Sequence, residues 1–167
     1  PEMSIYNNFR FISYLISLLL FIACGNDDND SKNEQLQGSW VIQNKTITVW
    51  PRPGEDEAAL RDSLTDYTFF KEGSVVTFQD DSVHLTIDYM EWQRPAVLPY
   101  SYHKNYLKIT PPDQLPLLLE GSVEFQNPVL QFTLTTESYM SILQLLHPSF
   151  YDRILSANVS YFMQRQN

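Results

Sequence analysis

The chain is poor in cysteine, glycine and basic charge. A single cysteine, Cys24, in 167 residues excludes an intramolecular disulfide, so a folded domain must be held by its apolar core. Five glycines leave little material for a phosphate-cradling loop, and neither Gly-x-Ser-x-Gly nor His-Glu-x-x-His occurs. The three histidines, His84, His103 and His147, share no ligand spacing with one another or with Cys24, so neither a metal nor a cofactor is expected. Asp27-Asp28-Asn29-Asp30 lacks the glycine and the bidentate glutamate of a calcium loop. Lys and Arg number 11 against 20 Asp and Glu, a net charge of −9. That field repels phosphates and anionic headgroups, which excludes nucleic acid as a partner. The acidic pair Asp80-Asp81 and the lone Glu137 have no apolar surroundings in sequence to raise a pKa. No catalytic residue is assigned, and a non-enzymatic role is expected.

Aromatics, by contrast, are plentiful. Ten Tyr, ten Phe and three Trp favour β structure. The N-terminal stretch has its own pattern. Met3 reads as the initiator, Asn7-Asn8-Phe9-Arg10 as a polar segment with one positive charge, and residues 11–23 as an apolar run broken only by Ser13 and Ser17. As a helix that run spans about 20 Å, against about 30 Å of bilayer hydrocarbon. This is the length of an export signal and too short for a stable transmembrane anchor.

Phe21-Ile22-Ala23-Cys24 resembles the bacterial lipobox, with Phe21 in place of the usual Leu. The resemblance implies cleavage between Ala23 and Cys24 and an N-terminal cysteine carrying fatty acyl chains such as palmitate. Two or three such chains hold a protein on a membrane where one binds marginally. The acidic run after Cys24 is similar to the signal that directs lipoproteins of Bacteroidota to the outer membrane and its surface. Physically it is a solvated spacer. The expected organisation is a signal peptide at 1–23, an acidic tether at 24–35 and one domain at 36–167.

Within the domain, residues 42–50 read as a strand, Pro51-Arg52-Pro53-Gly54 as a break, and 55–64 as a short helix with acids in its first turn. Residues 67–70 and 74–78 read as a hairpin around Lys71-Glu72-Gly73, followed by a turn at 79–81. Residues 82–89 alternate best, with Val83, Leu85, Ile87 and Tyr89 on one face and Ser82, His84, Thr86 and Asp88 on the other. A loop around Pro95 is expected at 90–96, then strands at 97–103 and 106–110 across Lys104-Asn105. After a break at 111–113, strands at 117–125 and 129–135 turn at 126–128. The period then changes: Tyr139, Ile142, Leu143 and Leu146 mark an amphipathic helix capped near Thr136 and stopped at His147-Pro148. Ser149 and Asp152 suggest a capping box for a second short helix, so the helical segment runs 137–156. Residues 158–164 read as a closing strand. The fold class is mainly β: an up-and-down antiparallel barrel, or a strongly curved sheet, of about eight strands with a C-terminal helix.

Gly38-Ser39-Trp40 at the first strand, with Tyr67-Thr68-Phe69 before Gly73 and Tyr106-Leu107-Lys108-Ile109 later, resembles the lipocalin-like lipoproteins of Bacteroidota over residues 36–135. The resemblance implies that Gly38 and Trp40 form a barrel-closing motif in which Trp40 meets a late basic residue, Arg153 or Arg165. A helix between the first two strands departs from that pattern. Trp92, Tyr100, Tyr102 and Tyr106 are candidate ligand-lining residues for a small apolar molecule. Asp62-Ser63-Leu64 and Asp81-Ser82-Val83 resemble short O-glycosylation sites of exported Bacteroidota proteins. The function expected is that of a lipid-anchored envelope protein binding a small apolar ligand or a protein partner. The alternative is an accessory lipoprotein subunit of an outer-membrane assembly, docking through 137–156.

Overall fold

The computed structural model describes residues 34–89, 92–111 and 117–166, with the side chains of 87–89, 92 and 93 excepted. The expected leader, Ala23, Cys24 and most of the tether lie outside these residues. Eight antiparallel strands follow one another around a closed barrel. They are β1 (Gly38–Pro51), β2 (Val75–Gln79), β3 (Ser82–Tyr89), β4 (Trp92–His103), β5 (Tyr106–Ile109), β6 (Leu119–Gln126), β7 (Val129–Leu134) and β8 (Ile154–Arg165). Helix α1 (Glu57–Leu64) lies between β1 and β2, and α2 (Thr136–Leu146) and α3 (Pro148–Tyr151) lie between β7 and β8. The barrel closes where β8 returns to β1, paired from Trp40 with Arg165 to Pro51 with Ile154, with irregularities between Ile42 and Asn44 and between Trp50 and Pro51. No helix of the described residues is long and apolar enough to cross a membrane.

Alternation decides which side chains go inside. In β7 Leu130, Phe132 and Leu134 are buried, as are Ala157, Val159, Tyr161 and Met163 in β8. On β3 Val83 and Leu85 face in, while His84 is exposed and Thr86 half-buried, so the polar face of this strand is the outer one. The turns carry the conformations that tight hairpins need: Lys104 and Asn105 both take positive φ, 49° and 66°, and Asp80, between β2 and β3, takes 51°. Gly121 has a different reason. A Cβ there would fall on the carbonyl of Thr133, so β6 and β7 approach each other more closely at this point than any larger residue permits.

Residues 67–70 are not a strand. Phe69 and Phe70 are adjacent yet both buried, at 2% and 1% exposure, which an alternating strand cannot achieve. The segment instead folds in as an aromatic plug. Thr68 Oγ1 donates to the Phe70 carbonyl at 3.0 Å and accepts from Lys45 Nζ at 2.8 Å, and Phe70 meets Tyr161 edge-on at 5.1 Å. β2 therefore pairs with β1, not with 67–70.

Nor is 92–96 a loop, since β4 runs through Pro95, which lies opposite Thr86. The Pro99 carbonyl accepts from Thr110 on the β5 side of the strand, and Pro95, four residues earlier, points the same way. β5 pairs only with residues from Tyr100 to His103, so among the described residues no ladder bond is lost at Pro95. The rest of that expected loop, Met90 and Glu91, lies outside the described residues, as does most of the expected break at 111–113.

Helix α1 starts two residues late because Asp56 is its N-cap, accepting from the Ala58 and Ala59 N–H groups. Thr135 caps α2 by accepting from Ser138 N–H. Helix α3 has no capping box: His147 occupies the N-cap without a side-chain bond and Pro148 takes the first turn. Tyr139, Ile142 and Leu143 of α2 are fully or almost fully buried. Ser138 ties that helix to β6 through the Glu120 backbone, at 3.1 Å to both N and O.

Tyr161 is completely buried, and no hydrogen-bond partner reaches its hydroxyl. Burial raises its pKa well above the usual phenol value; the backbones of Phe70 and Phe69 and the Thr68 side chain partly offset this without reaching bonding geometry. Burial and then the Tyr161 charge raise that of Tyr139. Both phenols thus favour the folded state while neutral. Their contribution is intact below the unfolded phenol pKa of about 10 and is lost as pH rises above it. Urea midpoints are expected to stay level up to about pH 9.5 and then fall, with these two phenolates appearing only on unfolding. Tyr161→Phe removes an unsatisfied hydroxyl and should raise the unfolding free energy by about 1 kcal/mol. A loss of stability in the urea titration would show that the hydroxyl has a partner.

Candidate functional site

The end of the barrel where β1 begins is closed by the chain entering it. Residues 34–36 form a helical turn, and Leu36, with no exposed surface, drops into the barrel end. Gln37 then clamps the rim. Its Nε2 donates to the Asp80 carbonyl at 3.1 Å and to Tyr100 Oη at 2.8 Å, and its Oε1 accepts from Asp80 N–H at 3.0 Å. Gly38 turns the chain with φ of 109°, a conformation that side chains disfavour. Two residues on, Trp40 faces inward at 4% exposure, and its Nε1 donates to the Leu36 carbonyl at 2.8 Å.

Arg165, at the end of β8, lies opposite Trp40 in the ladder. Its guanidinium carbon is 5.4 Å from the Trp40 ring centroid, and Nη2 donates to the Gln37 carbonyl at 2.5 Å. A Cβ on Gly38 would sit 3.5 Å from Arg165 Nε, an ordinary contact, so the glycine is required by its positive φ and not by the arginine. Of the two late arginines, Arg165 is thus the one at Trp40. Arg153 binds Glu55 Oε2 through Nε and Nη2, at 2.8 and 2.6 Å, and that hydrogen bond lowers the Glu55 pKa.

Beside this lock is a cleft of about 420 Å³ lined by Gln35, Trp40, Phe125, Asn127, Pro128, Val129 and Arg165. Phe125 leans toward Trp40, with ring centroids 6.3 Å apart at 53°. The β6–β7 hairpin supplies one wall, with Gln126 paired to Val129 across the Asn127-Pro128 turn. Its lining mixes apolar with polar side chains, and its volume lies in the range of small-molecule sites.

Of the aromatics singled out from sequence, Tyr100, Tyr102 and Tyr106 are not among its lining residues. Tyr100 and Tyr102 share the inward face of β4. Tyr100 is 8% exposed, and its hydroxyl donates to the Asp80 carbonyl at 2.8 Å. Tyr102 is half-buried, with Oη 3.3 Å from Asn105 Oδ1. Burial raises both phenol pKa values. Tyr106 lies on the opposite face of its strand from the buried Leu107 and is 40% exposed; desolvation and the Glu120 carboxylate raise its pKa. The Trp92 side chain lies outside the described residues. Phe125, Val129, Gln35 and Gln37 were not singled out. The inward alternation of β6 reaches Phe125 at the hairpin tip, but only the barrel register brings that tip to Trp40.

His84 and His103 are exposed, and His147 packs 4.1 Å from the Tyr67 ring, with burial lowering its pKa. Among the described residues no group of three or more His, Cys, Asp or Glu converges on one point. Trp40→Phe deletes the bond to Leu36 and weakens the arginine contact. It should lower the unfolding free energy by about 1–3 kcal/mol in urea titrations, and an unchanged value would mean that the lock bears little stability. Compared with known proteins, the chain matches no family model, no curated protein and no solved structure.

Proposed function

We propose that this chain is a lipid-anchored, non-enzymatic binding protein of lipocalin-like type. Its address is the bacterial outer membrane, through acylated Cys24, and it holds a small apolar ligand in the cleft between Trp40, Phe125 and Val129. The anchoring half of the reading rests on the apolar run ending at Cys24 and the acidic segment after it. The lipocalin-like half rests on an up-and-down barrel with Gly38, Trp40 and Arg165 together at one end. The observation that carries the ligand assignment is the cleft itself. Bulky buried side chains in the core, Phe69, Phe70, Phe132, Tyr139 and Tyr161, favour a ligand at the end of the barrel over one in its middle.

A second reading, an accessory subunit docking on an envelope protein, draws support from Trp50 and Leu155. They lie near each other across the β1–β8 seam, at 48% and 57% exposure.

Expression of the full chain in a diderm bacterium separates these claims. The protein should enter the detergent phase on Triton X-114 partition and Cys24→Ser should not; a variant that still partitions with lipid refutes the anchor. The Cys24→Ser chain should bind the neutral apolar probe N-phenyl-1-naphthylamine saturably, and Phe125→Ala, which removes one wall of the cleft, should reduce that binding at least about tenfold, the loss of roughly 1.4 kcal/mol of contact. Absence of saturable binding, together with a stoichiometric partner that Trp50→Ser releases, would favour the accessory-subunit reading.

A further inference from the structure

We infer that the ligand of this cleft is a monoanion, an apolar body ending in a carboxylate or a similar single-charged group, with Arg165 as its counter-ion. The inference rests on the binding-protein reading above and adds the charge of the ligand. Three observations lead to it.

The first is that Arg165 has no acidic partner among the described residues. Arg61 faces Glu57 and Arg153 faces Glu55, but among the described residues no carboxylate lies within ion-pair distance of Arg165, in a chain with 20 acidic and 11 basic side chains. Its contacts are the Gln37 carbonyl and the Trp40 ring. A guanidinium carries five N–H donors. The guanidinium lies over the Trp40 ring and the bond to Gln37 engages one nitrogen, so further N–H donors remain for a carboxylate.

The second is placement. Arg165 lines the same cleft as Phe125, Pro128 and Val129. Apolar walls beside a charge lower the local dielectric and strengthen a charge-assisted bond made there. The Asn127 and Gln35 side chains on the rim can donate to a second oxygen.

The third is the overall field. A net charge of −9 opposes polyanions such as nucleotides and oligophosphates. One guanidinium against that background selects a single negative charge, and Trp40, Phe125 and Pro128 offer apolar contact to the rest of the molecule.

The test compares two probes of equal shape, 2-naphthoate and 2-naphthamide, titrated by calorimetry into the full-length Cys24→Ser chain. Naphthoate should bind about tenfold more tightly. Arg165→Gln should erase that preference while leaving naphthamide binding in place, and Arg165→Lys should keep part of it. Phe125→Ala should weaken both probes while leaving their ratio unchanged, and circular dichroism checks that each variant is folded. Equal affinities in the unmutated cleft overturn the anion inference while the cleft remains a binding site. No binding of either probe overturns both. A preference that survives in folded Arg165→Gln assigns the charge recognition to another residue and also overturns the inference. If Arg165→Gln does not fold, the ratio in the unmutated cleft and its persistence in Arg165→Lys still decide the matter.

Discussion

The pairing of β1 with β8 is the constraint on which the rest of this structure depends. These are the first and last strands, and they run side by side from Trp40 with Arg165 to Pro51 with Ile154. Without that seam each would be an open edge, and the sheet would expose two long rows of unpaired backbone. Closing a loop of this length adds little more entropy than closing a shorter one, since the cost grows only with the logarithm of length. Contacts made late in the sequence are therefore affordable, and the seam holds the molecule in register. It also creates the lock at the barrel end, because only closure brings Arg165 to the residue that it covers.

The same closure separates the middle of the barrel from its end. In the middle, Phe70 meets Tyr161 edge-on, and Tyr139 reaches in from α2 with its hydroxyl 3.5 Å from the Tyr67 carbonyl. Side chains of this size interdigitate at the density of a protein core. At the Trp40 end, Leu36 and Gln37 seal the rim, while the β6–β7 hairpin stands alongside and leaves the cleft. On the proposed reading, the core serves stability and the ligand is held at the Trp40 end of the barrel.

Much of the fold was legible because it is written locally. The alternation in β3, the turn at Lys104-Asn105 and the 3.6-residue period of α2 each need only a few neighbouring residues to be read. What failed did so for physical reasons. Tyr67-Thr68-Phe69-Phe70 has strand composition, yet two adjacent buried rings make it a plug. Pro95 reads as a breaker, but its missing donor falls on an edge that no described residue pairs. Gly121 was unremarked, although a glycine inside a strand signals a close backbone approach. The site was half legible: Gly38 and Trp40 stood out, whereas the choice between Arg153 and Arg165, and the arrival of Phe125, depend on register across the closed barrel. Tyr106 differs from Tyr100 and Tyr102 through parity alone, since its strand presents it outward.

The central claim is that recognition occurs at the Trp40 end and not in the barrel interior. The most direct measurement is a chemical-shift map of the full-length Cys24→Ser protein with 2-naphthoate added. Saturable shifts confined to the Trp40 indole, the Phe125 ring, the Val129 methyls and the Arg165 side chain are the predicted result. Shifts centred on Phe132, Val159 and Tyr161, with the Trp40 end unmoved, would contradict it.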